Sequence, residues 1–166
     1  LPPATHRPNF DALWSKHMDP KKGSRKIASG LMPNDNRCAL ALSITLGLSP
    51  RKEKGEHSIV DMPPNLPWKL RVIEELRKSG LGTRYYIKSN ELANRIKDEW
   101  GEPLKPLEQG IDIRGKVGVV YFNGGFGLGS HIDLWYRNHW AGETHTTYDQ
   151  AVKSANFMWF WELPQK

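Results

Sequence analysis

The chain has 166 residues, with 24 Lys and Arg against 18 Asp and Glu, a formal net charge of +6. That length fits a single domain spanning 1–166, with a core large enough to do without metal or disulfide staples. Hydrophobic residues make up 38%, 7 Trp among them, which excludes intrinsic disorder; 15 Gly and 12 Pro without period exclude collagen-like and coiled-coil classes.

The first helix is expected at Asn9 to Lys16, where Phe10, Leu13 and Trp14 recur at helical spacing. Lys21 to Pro33 reads as a basic loop punctuated by Gly23, Gly30 and Pro33. Next comes NDNRCALALSITLGLSP. Asn34, Asp35 and Asn36 suit a helix N-terminus, the following residues are nearly all apolar, and Gly47 and Pro50 end the run. Cys38 is thereby expected in the first turn of a buried helix. Arg51 to Pro67 is polar and Pro-rich, a long loop. Trp68 to Ser79 is an amphipathic helix, and Tyr85 to Ile87 a short strand. Ser89 to Trp100 is a further helix, capped by Ser89 and closed by Gly101. Lys116 to Phe122 is a strand rich in β-branched and aromatic residues. Asn123 to Ser130 is a glycine-rich loop, His131 to Tyr136 an alternating strand, and Phe157 to Leu163 the last strand. Helices come first and strands second, which predicts an α+β fold with an antiparallel sheet.

A basic balance favours polyanionic partners. Yet the cations are dispersed, and no Trp interleaves with the densest basic stretch, Lys16 to Lys26, to stack bases. Zinc-finger, RNA-recognition and helix-turn-helix signatures are absent, so no nucleic-acid partner is expected. No apolar run reaches the roughly 18 residues of a membrane span. The opening LPPATHRPNF has no charged segment followed by an apolar one, so no secretory signal is expected.

Cys38 is the single cysteine, which rules out an internal disulfide and a cysteine-rich metal site. A Cys at a helix start sits at the positive end of the helix dipole, and backbone N–H groups there favour a thiolate and an oxyanion. The thiolate needs a base. Of the six histidines His6, His17, His57, His131, His139 and His145, His131 stands out, at the start of a strand just after the glycine loop. An orienting acceptor for His131 is open between Glu143, His145 and Asp133. NGGFGLG precedes a strand instead of opening a helix, so it is not a dinucleotide loop. No cofactor and no metal is expected.

These residues carry a family resemblance. RPNFDALW at Arg7 to Trp14, NRCALALS at Asn36 to Ser43, RGKVGVVYF, GSHIDLW and the closing WFWELP together resemble the type VI secretion amidase effectors of the fourth family, Tae4. The matches fall in order along essentially the whole chain. The resemblance implies an NlpC/P60-like, papain-related fold and a cysteine amidase that cuts the peptidoglycan stem peptide between D-glutamate and meso-diaminopimelate. It implies Cys38 as nucleophile and His131 as base. It further implies secretion into a rival's periplasm without a signal peptide, and a cognate immunity protein. Family members carry an Asp in the turn after the His strand; here that turn reads RNHWAGETH, and Glu143 is its nearest acidic residue, with Asp133 and His145 as alternatives. An acyltransferase or transpeptidase on the same fold and a non-catalytic cell-wall-binding module are the rival readings.

Overall fold

The computed structural model describes residues 7–29, 34–126, 129–142 and 146–165. Seven α-helices and four strands lie within them: α1 Phe10–Met18, α2 Ser24–Ala28, α3 Asn34–Leu46, α4 Lys69–Lys78, α5 Ser89–Trp100, α6 Pro106–Gln109, β1 Val117–Phe126, β2 Gly129–Tyr136, β3 His139–Trp140, α7 Tyr148–Ser154 and β4 Phe157–Glu162. Helices precede an antiparallel sheet of order β3-β2-β1-β4, as an α+β fold requires.

Local chemistry explains most boundaries. Asn9 caps α1 by accepting from the Ala12 N–H, so the helix starts one residue later than the apolar spacing suggests. Phe10, Leu13 and His17 are its buried residues. The Arg7 guanidinium donates to the carbonyls of Trp100 and Glu162, and the Phe10 N–H to the Pro164 carbonyl, which fastens α1 to the end of the chain. The expected basic loop after α1 contains the short helix α2. The expected loop between α3 and α4 contains two single 3-10 turns, Lys52–Lys54 and Ile59–Asp61.

Tyr85 to Ile87 is not a strand. Tyr86 and Ile87 are fully buried, but their backbone groups bond to side chains of α3: the Tyr86 N–H donates to Ser43 Oγ at 2.8 Å, and Asn36 Nδ2 donates to the Ile87 carbonyl at 2.7 Å. Polar side chains of the helix satisfy this segment where a neighbouring strand would otherwise be needed. Lys88, not Ser89, occupies the cap position of α5, while Gly101 ends that helix as expected, at φ 88°.

The glycine-rich stretch is also not a loop throughout. β1 continues to Phe126 with an irregular register between Phe122 and Phe126, and Gly124 and Gly125 take positive φ there. The hairpin is therefore longer than the β-branched run and is bent where glycine permits it.

The sheet is buried on both faces. Val119, Tyr121, Ile132, Leu134 and Trp161 pack with Phe10 and Leu13 of α1, Ala39 and Leu42 of α3, and Leu92 and Ile96 of α5. Val120, Phe122, Trp135, Met158 and Phe160 pack with Ile113 and with Ala151 of α7. β3 pairs only with Trp135 and Tyr136, so among the described residues β2 from Gly129 to Asp133 has no strand on its outer side. Helix α3 lies against this strand, and the site forms there.

Candidate active site

Cys38 projects from α3, and His131 and Asp133 from β2. Residues two apart on a strand share a face. Asp133 therefore stands beside His131, while Ile132 and Leu134 alternate into the core against α3. The Cys38 sulfur, a ring nitrogen of His131 and a carboxylate oxygen of Asp133 lie within 4.8 Å of one another. His131 Nε2 is 3.3 Å from Asp133 Oδ2. His131 and Asp133 are 4% and 1% exposed, whereas Cys38 is half-buried. The Trp140 indole meets the His131 ring edge-on at 5.5 Å.

The Asp133 carboxylate is held on every side. Oδ1 accepts the Leu134 N–H at 2.8 Å, and Oδ2 accepts the Gly142 N–H at 2.7 Å. His17 Nε2 faces Oδ1 at 3.6 Å. Burial alone would raise this carboxyl; hydrogen bonds from His131 and His17 outweigh burial and hold it well below its ordinary value. Burial would likewise lower the His131 imidazole, but the Cys38 sulfur and the Asp133 carboxylate outweigh burial and raise it to about 10. Such an arrangement can sustain a thiolate–imidazolium pair and pass a proton between sulfur and ring. The same three donors are the one group among the described residues able to offer a metal ion three ligands. A metal requires a neutral imidazole, so the raised His131 favours the ion pair.

Gly142 closes one side of the site. A Cβ placed on it would lie 2.9 Å from Asp133 Oδ2 and 3.5 Å from the Cys38 sulfur. Gly142→Ala is expected to displace the carboxylate and slow the reaction of Cys38 with iodoacetamide at pH 6 by about tenfold, the cost of one hydrogen bond to a charged group. An unchanged alkylation rate would show that the carboxylate tolerates the methyl group.

One expectation shifts by a turn. α3 begins at Asn34, so Cys38 is its fifth residue instead of lying in the first turn. In a helix with that start the Cys38 N–H is already used by the Asn34 carbonyl. The unused N–H groups belong to Asn34, Asp35 and Asn36, one turn before the sulfur.

Of the residues singled out from the sequence, Cys38, His131 and Asp133 meet in space. Glu143 and His145 lie outside the described residues. His17, Gly142 and Trp140 were not read from the sequence as part of the site. His17 carried a usable signal: Phe10, Leu13, Trp14 and His17 follow the i, i+3, i+4, i+7 spacing of a buried helix face.

The family model of Tae4, described as type VI secretion system (T6SS), amidase effector protein 4, matches residues 34–161. The chain belongs to the Tae4 family. That match spans Cys38, His131 and Asp133, and leaves α1 with His17 outside it. None of the curated proteins matches the chain. Among solved structures, the crystal structure of the effector Tae4 from Salmonella typhimurium, in complex with the immunity protein Tai4 from Enterobacter cloacae, matches with a TM-score of 0.54 at 16% identity. The match covers 95% of this chain and 100% of that one, and it shows that the two share a fold.

Proposed function

We propose that this Tae4-family chain is a cysteine amidase of NlpC/P60-like, papain-related type, formed as one domain over residues 1–166. Its substrate is the peptidoglycan stem peptide, cut between D-glutamate and meso-diaminopimelate. The reading is carried by the convergence of Cys38, His131 and Asp133 at the open edge of β2. Cys38 is the nucleophile, His131 the general base and acid, and Asp133 the orienting carboxylate. The imidazole faces Asp133 through Nε2 at 3.3 Å and exchanges a proton with the Cys38 sulfur.

The thiolate attacks the amide carbonyl carbon and gives a tetrahedral oxyanion. Its collapse breaks the C–N bond as His131 protonates the departing amine. A thioester remains on Cys38. His131 then takes a proton from water, the resulting hydroxide attacks the thioester, and the acid product leaves with restoration of the thiolate. The positive end of α3 lies a turn from the sulfur and supplies favourable potential to the oxyanion.

Arg25 and Arg37 line the cleft of about 290 Å³ that also contains Cys38, Asp133 and His17. Two arginines lining the same cleft as the sulfur suit a substrate with carboxylates near the scissile bond. Arg37→Ala or Arg25→Ala is expected to raise KM for a free stem tetrapeptide by about tenfold, with little change in kcat, the loss of one charge-assisted contact. An unchanged KM in both variants would remove the arginines from substrate binding.

As a family effector the protein is delivered by the type VI machine to a target cell's periplasm, and an immunity protein of the producer occludes this cleft. No helix among the described residues is long and apolar enough to cross a membrane. The deciding experiment is digestion of Gram-negative sacculi, with fragments identified by mass spectrometry. New D-glutamate carboxyl ends with the wild type and none with Cys38→Ala support the amidase. New amide bonds to an added amine would point to an acyltransferase. Intact sacculi in both samples would leave a wall-binding module.

A further inference from the structure

His17 is an imidazole buried to 1% exposure, and the mechanism above does not use it. Its Nδ1 lies 2.6 Å from Thr45 Oγ1 on α3, and its Nε2 faces Asp133 Oδ1 at 3.6 Å. It thus lies between a hydroxyl and a carboxylate inside the core. The Thr45 hydroxyl has two acceptors within reach, Nδ1 and the Ala41 carbonyl at 3.0 Å. The Ala41 carbonyl can accept both the Thr45 N–H and the Thr45 hydroxyl, so the hydroxyl alone leaves both ring tautomers open. The carboxylate facing Nε2 at 3.6 Å decides between them and places a hydrogen on Nε2, pointing at Asp133. The opposite tautomer would aim a nitrogen lone pair at a buried carboxylate.

Asp133 therefore has its two oxygens divided. Oδ2 serves His131 and the Gly142 N–H; Oδ1 serves His17 and the Leu134 N–H. The backbone donors fix the height of the carboxylate, and the two imidazoles stand on opposite sides of it. The other charged or titratable groups lining this cleft are Arg25 of α2 and Arg37 and Cys38 of α3. We propose that His17 is a positioning residue: its Nε2–H holds the Asp133 carboxylate in the orientation that receives His131, and so maintains the Cys38–His131 pair. The turnover consequence rests on the amidase reading above; the effect on the thiol does not.

The test uses the full chain and iodoacetamide, which needs no cell-wall substrate. Alkylation of Cys38 at pH 6 is measured for wild type, His17→Ala, Asp133→Ala and the double variant. His17→Ala is expected to slow alkylation by about tenfold, the effect of losing one polar contact to a buried charge. His17→Gln, which retains an N–H donor, is expected to recover most of the rate. In the Asp133→Ala background His17→Ala is expected to add less than about twofold, since its route of action is gone. A wild-type rate in folded His17→Ala would overturn the proposal. So would an equal slowing in both backgrounds, which is the signature of an independent structural role. Should His17→Ala fail to fold, Thr45→Val removes the outer anchor of the ring, and an unaltered alkylation rate there overturns the proposal equally. On the stem peptide His17→Ala is expected to lower kcat and leave KM within about twofold. If wild type leaves the stem intact while the alkylation pattern holds, the amidase reading falls and the role of His17 stands.

Discussion

Cys38→Ala is expected to abolish stem cleavage, a fall of about 10⁴-fold or more, and at the same time to bring the His131 imidazole down from its raised value. On the proposed mechanism the first effect follows from removal of the nucleophile, for which neither His131 nor Asp133 can substitute. The second is specific to this site. His131 is buried, and burial alone would lower it; the sulfur is the largest influence that raises it, ahead of Asp133. Without the sulfur, burial faces the carboxylate alone. The measurement is an NMR titration of the His131 ring proton in wild type and Cys38→Ala. The same linkage sets the pH dependence of stability. A histidine raised in the folded state stabilises the fold fully below its ordinary value near 6.5, and that stabilisation disappears as pH rises through about 10. Wild type is therefore expected to lose stability across that alkaline window, and Cys38→Ala to lose less. Identical His131 titrations in the two proteins would show that the sulfur and the imidazole do not form the pair described.

The second large effect concerns the carboxylate. Asp133→Ala is expected to lower kcat by about 100-fold or more, within the range for loss of effective acid–base catalysis. A carboxylate restored from the facing turn should recover part of it. The Cβ direction at Gly142 points at Asp133 Oδ2 and the Cys38 sulfur, so the strand and the turn aim at one place. Gly142→Asp in the wild type puts two carboxylates into that place and is expected to reduce activity strongly, as like charges in a buried site oppose each other. In the Asp133→Ala background the same substitution is expected to raise activity by about tenfold over Asp133→Ala alone, the value of one charged hydrogen bond. Kinetics on a free stem peptide for the four proteins decide it. A double variant no better than Asp133→Ala would show that the turn cannot hold the group. Family members carry an Asp in this turn, which this chain lacks; the structure puts the strand carboxylate of Asp133 against Gly142 there.

Local chemistry made part of this legible. The apolar run after Asn34 identified α3 and with it Cys38, and the β-branched and alternating segments identified β1, β2 and β4. His131 stood out by its place just after the glycine-rich stretch, and its strand face made Asp133 one of three candidates beside Glu143 and His145. What escaped depends on partners distant in sequence. Tyr85 to Ile87 has strand-like residues, but its hydrogen bonds go to Asn36 and Ser43. α7 was missed although Thr147 and Gln150 form a reciprocal cap at its start. The glycines after Phe122 read as a loop because composition does not reveal that a bent hairpin continues through them. His17 sat in an apolar helical stripe, where a polar residue is explained only once Asp133 and Thr45 are known to face it.

The topology also sets a timetable. Cys38 leaves the ribosome well before His131, by about 5–20 seconds at ordinary synthesis rates. β1 has β4 as its second neighbour, and α1 is fastened to Glu162 and Pro164, which are made after His131. A nascent chain short of β4 thus already contains Cys38 while the sheet behind His131 is unfinished. The sheet that carries His131 is complete only once β4 has been made, so Cys38 and His131 are expected to meet after the chain has passed Glu162.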